Sequence, residues 1–509
     1  MVKQLRFAIL LCCISVAGSA FATTRYIAAN GSDSNDGASK TTPWLHAPGM
    51  SGCSSNCASY TPVAGDSFIL RGGDTWHRYS SGGTGGTPVG LPWSWTHSGN
   101  SSNAIYVGVD KTWYAGASWT RPVLSSDNPI STSVVSSCAH DNTGSNTLTI
   151  SSANYVTFDN LEMSGWCWSG GSGAHIERSS TTHITISNFY IHGWSHTSGF
   201  TDTAWMIHGN TGGATNNVIT GTTIDGSDTT QRSGFAVYGD CYELSGNTFR
   251  YLSNGAVCWN PTQIHDNMFE YIVESTDSAG THGNVIEAIG GPSTPTWFYN
   301  NAVRHTTGGG VGLGVNVWLN VATALYFFNN VFYDIGNSAN CVMLSNQQGN
   351  NTRNNSFIWN NTIDASCSLS LMVGDSTSST FNGDLWFENN HLIGYTNIGG
   401  LIANRGGTYT THETTDVYQT ESAANSQGYT NTNAYAPTSA GDITVGSVTN
   451  LTSSCATFGA ALCSDTTVGG TRTPNARPAS GAWDAGAYEF NQSGSNPPNP
   501  PGGLSAVVH

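Results

Sequence analysis

The sequence predicts an all-β solenoid, a single-stranded right-handed parallel β-helix, on three observations. First, a short β-branched and aromatic segment ending in Asn or a near-equivalent recurs between Val156 and Asn390. Examples are Val156-Thr157-Phe158-Asp159-Asn160, Ile184-Thr185-Ile186-Ser187-Asn188, Phe298-Tyr299-Asn300-Asn301 and Phe387-Glu388-Asn389-Asn390. With Asn247, Asn267, Asn330 and Asn361 in the same slot and Thr222 filling one gap, successive copies stand 28, 34, 25, 20, 34, 29, 31 and 29 residues apart. That is the period of a stacked repeat with turns of unequal length. Second, 61 Gly and only 9% charged residues among 509 suit strand and turn rather than helix or disorder. Third, Asn is a poor strand residue, so its return at one slot needs a cause. Stacked amides at a turn donate and accept between coils, which assigns the Asn column to the scaffold.

From the N-terminus, Lys3 and Arg6 precede the apolar run Phe7 to Val16 and the small-residue ending Ala20-Phe21-Ala22. This reads as a secretory signal over residues 1–22, so the mature chain is expected to be secreted or periplasmic. Of 12 cysteines, Cys12 and Cys13 fall in the signal. Proximity pairs the rest as Cys53 with Cys57, Cys241 with Cys258, Cys341 with Cys367 and Cys455 with Cys463, leaving Cys138 with Cys167. No CxxC pair suggests zinc. No other apolar run would span a membrane. With 16 basic against 32 acidic residues, no basic stripe exists for nucleic acid. The chain is expected to act as a monomer.

The mature chain opens with Tyr26-Ile27-Ala28-Ala29-Asn30-Gly31-Ser32-Asp33-Ser34-Asn35-Asp36-Gly37, followed by Thr42-Pro43-Trp44. This opening resembles the start of secreted right-handed parallel β-helix proteins related to pectate lyases and chondroitin lyases, the pectin lyase-like fold. The ending Ala482-Trp483-Asp484-Ala485-Gly486-Ala487-Tyr488-Glu489 is similar to a G-A-x-E terminus common in that group. The resemblance implies a polysaccharide lyase or glycoside hydrolase. Asp33 and Asp36 could take calcium, the one candidate cofactor, but turn formation accounts for them unaided. Strands Asp66 to Arg71 and Ala104 to Gly108 flank a Gly-rich stretch, Ser80 to Gly90, of the kind that rims a groove. Residues 23–490 form the β-helix domain, its pattern fading after Asn390, and residues 491–509 a Pro-rich tail.

Counting from the Asn slot exposes two outward columns. Phe249, Phe269, Val303, Phe332, Ile363 and Leu392 should point inward, which turns Asp225, Arg250, Glu270, Arg304, Tyr333 and Asp364 outward as a charge ladder or a groove floor. A second strand in each coil carries Glu177, His208, Tyr238, Cys258, Glu287 and Trp318 outward, with Asn210, Asp240, Asn260, Asn320, Asn346 and Asp375 two residues further on. Carboxylates, imidazole and aromatic rings on one face have the composition of a sugar-binding surface.

The candidate catalytic residues are Asp240, Glu287, Glu270, His208 and Arg304. The candidate substrate contacts are Tyr238, Trp318, Trp259, Trp205, Asn210, Asn260, Arg250 and His282. Glycoside hydrolysis needs two carboxyl groups at a set spacing, and Asp240 with Glu287 is the best pair, with Glu274 and Asp277 in reserve. Elimination needs a base, and often a cation on the substrate carboxylate. No Lys follows Lys111, so Arg250 and Arg304 are the substitutes for the Lys or Arg base that the resemblance implies. Calcium would come through Asp240, Glu270 or Asp277. His192, His196 and His208 gather near one turn, and no metal site is assigned to them. The chain is read as a polysaccharide-cleaving enzyme with hydrolysis favoured over elimination, the third reading being a non-catalytic carbohydrate-binding or adhesin solenoid.

Overall fold

The computed structural model describes residues 22–79, 89–170, 173–197, 204–209, 216–228, 234–259, 261–272, 283–289, 294–306, 315–321, 323–336, 340–345, 353–364, 369–374 and 381–490. The strands pair in parallel with their sequence-order neighbours along three sheets. The first runs from Thr24–Ile27 to Gly407–Thr414, the second from Trp93–Trp95 to Ile402–Asn404, and the third from Thr75–His77 to Val417–Gln419. Each coil contributes one strand to the second, first and third sheet in turn, the course of a right-handed parallel β-helix. Side chains alternate in and out, so equivalent inward positions stack. In the first sheet Ile186, Ile219, Leu244, Ile264, Phe298, Phe327, Ile358 and Phe387 form one buried file. Each such side chain contributes about 1.5–3 kcal/mol by leaving water. Phe249, Phe269, Val303, Phe332, Ile363 and Leu392 all point inward, as expected.

The Asn column joins the first sheet to the third. Asn301 Oδ1 accepts from the backbone N of Asn267 (3.1 Å) and from its Nδ2 (3.0 Å), while Asn301 Nδ2 donates to Asn330 Oδ1 (3.2 Å) and back to the carbonyl of Ile264 (2.9 Å). The same pattern runs through Asn247, Asn267, Asn330, Asn361 and Asn390. The residue before the slot is left-handed, and here the expected register needs correction. Asn160 (φ 58°) and Asn188 (φ 55°) occupy that left-handed position, equivalent to Asn300 (φ 57°), so the slot in their coils holds Leu161 and Phe189. Phe189 N accordingly donates to Thr222 Oγ1. Asn serves both positions because it tolerates φ > 0 and also bridges amides.

The pattern does not end at Asn390 either. One more coil follows, and Asp416 takes the slot, accepting from Asn390 N (2.7 Å) and Nδ2 (2.9 Å) through Oδ1. Where an Asn would offer Nδ2 to a carbonyl of the coil below, Asp416 presents a buried Oδ2 with no hydrogen-bond partner among the described residues. Burial pushes its carboxyl up to about 7, against the pull of the Asn390 donors. The folded value lies above the ordinary 3.8, so the stability this group allows is present at acid pH and falls as pH rises through about 7. Asp416→Asn should therefore stabilise the protein by up to about 4 kcal/mol at pH 8 and by about 0.5 kcal/mol at pH 4. Equilibrium denaturation at the two pH values measures this, and an equal effect at both would refute it.

Four expected disulfides are formed, Cys53–Cys57, Cys138–Cys167, Cys241–Cys258 and Cys455–Cys463. The expected partner of Cys341, Cys367, lies outside the described residues, as do residues 1–21 and 491–509. Asp33 organises the opening turn. Its carboxylate accepts from Leu45 N, His46 N, Ser54 N and His46 Nδ1 (2.8 Å). Asp36 accepts from Thr42 Oγ1 and Ala38 N. Among the described residues no helix is long and apolar enough to cross a membrane, and no group of three or more His, Cys, Asp or Glu side chains could hold a metal ion.

After Val417–Gln419 the chain folds back over the outside of the solenoid. Tyr429, Tyr435, Val468 and Tyr488 pack on the third-sheet residues Met268, Ala302, Val331 and Tyr333. Phe458, Leu462 and Trp483 pack on the first-sheet residues Phe328 and Trp359. The apolar contacts of this wrap fall on the first and third sheets.

Candidate active site

The outer face of the second sheet carries the strands Gly173–Ser179, Ala204–Gly209, Phe235–Asp240, Asn254–Trp259, Ile286–Ile289 and Val315–Asn320. From Asp159 onward the first sheet passes to the third in two residues, so the longest connections among these coils, Gly209 to Val218, Asp225 to Phe235 and Ile272 to Ile286, enter or leave second-sheet strands, while others there, such as Asp240 to Glu243 and Leu252 to Asn254, are short. Pairing aligns Glu177, His208, Tyr238, Val257, Glu287 and Trp318 in one outward column. The column spans about 24 Å at the usual strand spacing. Cys258 was expected in it. It points inward instead, bonded to Cys241, and alternation then turns Val257 outward and brings Ala256 into the inner file.

His208 is the best-held polar group on this face. Its Nδ1 lies 2.6 Å from Glu177 Oε2 on the neighbouring strand. Its ring stacks on Trp205 (centroids 4.4 Å apart) and lies beside Tyr238 (5.8 Å), which itself stacks on Trp205 (5.2 Å). His208 Nε2 has no hydrogen-bond partner among the described residues. A carboxylate on Nδ1 fixes both ring orientation and tautomer, which leaves Nε2 to accept or deliver a proton. Glu287 lies two strand steps beyond Tyr238, 7% exposed, with Asn284 Nδ2 at 3.3 Å from Oε2. Trp318 donates through Nε1 to Ser345 Oγ (2.6 Å) and packs on Met343 and Met372. The face thus passes from acid, imidazole and phenol to indole and thioether along the solenoid axis.

Asp240 lies two residues past Tyr238 but turns into the corner toward the first sheet. It is 5% exposed and its Oδ2 accepts from Asn217 Nδ2 (2.7 Å). Burial pushes its carboxyl up, against the pull of the Arg178 guanidinium and the Asn217 amide. Trp259, opposite Asp240, and Trp205 are half-buried. Asn210, Asn260, His282, Glu274 and Asp277 lie outside the described residues.

Glu270, Arg250 and Arg304 stand on a different sheet. The third-sheet column runs Asp225, Arg250, Glu270, Arg304 and Tyr333, in the expected register. Arg250 bonds Asp225 (2.6 Å), and Arg304 bonds Glu270 through Nε (2.8 Å) and Nη2 (2.6 Å) and Tyr333 through Nη1 (3.0 Å). The column is a charge ladder in which each Arg pairs with a neighbouring carboxylate, and its Tyr333 end lies under the C-terminal wrap. Beside it Tyr251, Tyr271 and His305, all left-handed, stack ring on ring.

The histidines near one turn are dispersed. Burial pulls the His192 imidazole down, but its hydrogen bonds to Asp228 and Glu162 outweigh this and raise it to about 9, so it is a protonated member of an ion cluster. His196 is buried against Trp168. Two residues that shape the second-sheet site were not among the candidates. Glu177 stood in the outward column but was not assigned a role. Arg178, next to it, is fully buried. The signal for Arg178 was present as Gly209 and Gly239, two glycines in succession at an inward position that holds larger side chains in other coils.

No known protein family matches this sequence, and no curated protein does. Among solved structures it is similar to a rhamnogalacturonan lyase at 13% identity, over 77% of this chain and 87% of that one, with a TM-score of 0.42. It is also similar to the pectate lyase Pel9A at 14% identity, over 93% and 98% of the two chains, with a TM-score of 0.39. A third is the lacto-N-biosidase of glycoside hydrolase family 136 from Eubacterium ramulus, at 12% identity over 78% and 68%, with a TM-score of 0.36. With TM-scores below 0.5, the fold assignment rests on the three parallel sheets and not on these likenesses.

Proposed function

We propose that the chain is an extracytoplasmic enzyme that cleaves a polysaccharide lying along the second sheet, with His208 as its proton-transfer group and Glu177 as the group that orients it. The observation that carries the reading is the 2.6 Å contact between Glu177 and His208 Nδ1 on an imidazole stacked against Trp205. A base so held suits β-elimination. Nε2 takes the proton on the carbon next to a uronate carboxyl group, the electron pair becomes a C=C bond, and the bond to the leaving sugar oxygen breaks. Tyr238, next in the column, is placed to return a proton to that oxygen. Trp205, Tyr238, Trp259 and Trp318 supply apolar surface for sugar rings. Four disulfides suit an oxidising compartment.

Hydrolysis is the second reading, supported by the Asp240 carboxyl, which burial pushes up, the direction a general acid needs. Its partner on this face would be Glu287, two strands and about two residues away, with Cα atoms about 11–12 Å apart. Glu177 and Glu287 are four strand steps apart, about 19 Å, too far for either stereochemical course.

A panel of acidic, methyl-esterified and neutral polysaccharides, with and without calcium, decides between them. Elimination produces new reducing ends together with the ultraviolet absorbance of an unsaturated uronate, whereas hydrolysis produces reducing ends alone. Silence in both assays, with polysaccharide still retained in a pull-down, would leave a binding protein and end the enzyme reading.

A further inference from the structure

We propose that Arg178 is a positioning residue of the second-sheet site, a buried cation whose charge sets the field in which the Glu177–His208 pair titrates. The inference rests on that face being the active surface, but its test does not require substrate.

Because Glu177 points outward, Arg178 points into the solenoid. Its inward file reads Ile150, Arg178, Gly209, Gly239, Cys258, Ala288 and Leu319. The guanidinium lies against Gly209, where a Cβ would stand 2.7 Å from Arg178 Nη2. The side chain is fully buried. Nη2 donates to the carbonyl of Asp240 (2.5 Å) and Nε to that of His208 (3.4 Å), while Nη1 is buried without a hydrogen-bond partner among the described residues. Among the described residues no carboxylate oxygen stands within ion-pair distance of it. Its charge is countered through space by Asp240 and Glu177.

Stability does not explain this residue. A buried cation without a salt bridge costs several kcal/mol, and an apolar side chain of similar volume would serve at least as well. The fold accepts Ile, Cys, Ala and Leu in the same file. What the guanidinium does uniquely is hold the peptide carbonyls of the two strands that bear His208 and Asp240 while placing a permanent positive charge beneath them. The titratable groups around His208 are Glu177 on the preceding strand, Tyr238 and Asp240 on the following one, Glu287 two steps beyond Tyr238, and Arg178 below. Trp205, on its own strand, is uncharged. Among the described residues Arg178 is the only cation in this set. Its charge attracts the Glu177 carboxylate and repels positive charge placed on the imidazole on the other side of the sheet.

The test is a nuclear magnetic resonance titration of His208 in the substrate-free full chain, its signal assigned by its absence in His208→Ala. Arg178→Gln keeps donors for the two carbonyls and removes the charge, and it should raise the His208 midpoint by about half to one pH unit. Arg178→Lys keeps the charge and should leave the midpoint within about 0.2 units of the wild type. An unchanged midpoint in a folded Arg178→Gln protein overturns the proposal. Should that variant not fold, Arg178→Lys decides, because a midpoint displaced despite the retained charge overturns it equally. A polysaccharide panel without turnover would leave this result standing, and turnover with an unmoved midpoint would remove only the role of Arg178.

Discussion

His208→Ala is expected to lower turnover on whichever polysaccharide the panel identifies by about 100- to 10,000-fold, the share a positioned proton-transfer group supplies. The loss should fall on kcat, since the ring's apolar contacts are with Trp205 and Tyr238 and those two stack on each other without it. Glu177→Gln keeps the shape of the pair and removes its charge, and it should cost about tenfold or more by releasing the tautomer of His208. Neither variant should change folding much, because both side chains are part-exposed and the pair lies on the outside of a sheet whose ladder it does not interrupt. Melting curves alongside steady-state kinetics separate the outcomes. A His208→Ala protein with wild-type kcat would move the chemistry elsewhere, and Glu287→Gln would be the next variant to measure.

The parts of this molecule legible in its sequence are those where one chemical requirement repeats in every coil. Inward apolar positions and bridging amides recur at a fixed offset, so the Asn column set the register of the third sheet correctly from Asp225 to Asp364. Errors arose where two requirements call for the same residue type. Asn suits both the left-handed turn position and the ladder slot, which hid the one-residue offset at Asn160 and Asn188. Val257 has the side chain of an inward residue, yet the bond between Cys241 and Cys258 dictates the opposite parity. The candidate residues for chemistry were read from two columns as one site. Counting had already placed Glu270, Arg250 and Arg304 in one column and His208, Tyr238 and Glu287 in another, and the pairing adds that the two columns lie on different sheets. Arg178 escaped notice because a charged residue inside a solenoid contradicts the pattern that revealed every other inward position.

Arg477→Ala should be the most destabilising single change in the C-terminal wrap, at about 3–5 kcal/mol. The Arg477 side chain is fully buried and joins the wrap to the solenoid. It donates to Asn329 Oδ1 (3.3 Å) on the left-handed turn, to the carbonyls of Gly486 (2.9 Å) and Asp484 (3.2 Å), and to Glu489 Oε2 (3.2 Å). Burial pushes the Glu489 carboxyl up to about 7, and the Arg477 charge is the main force holding it down. Without Arg477 that carboxyl rises further. At pH 5 the folded variant answers by protonating Glu489. At pH 8 it must hold either a buried charge or a proton that the unfolded chain has released. The loss relative to wild type should therefore be larger at pH 8 than at pH 5, the sign expected for a carboxyl whose folded value exceeds its ordinary 4.5. Arg477→Met, which restores packing without charge, should lose less than Arg477→Ala by a similar amount at both pH values and show the same increase in loss from pH 5 to pH 8. Denaturation at both pH values tests this, and equal losses at the two would show that Glu489 is not the group left exposed to the change. Because the wrap packs on the first and third sheets and not on the face of His208, turnover per folded molecule should stay at the wild-type level in both variants. A fall in that turnover would instead tie the wrap to the active surface.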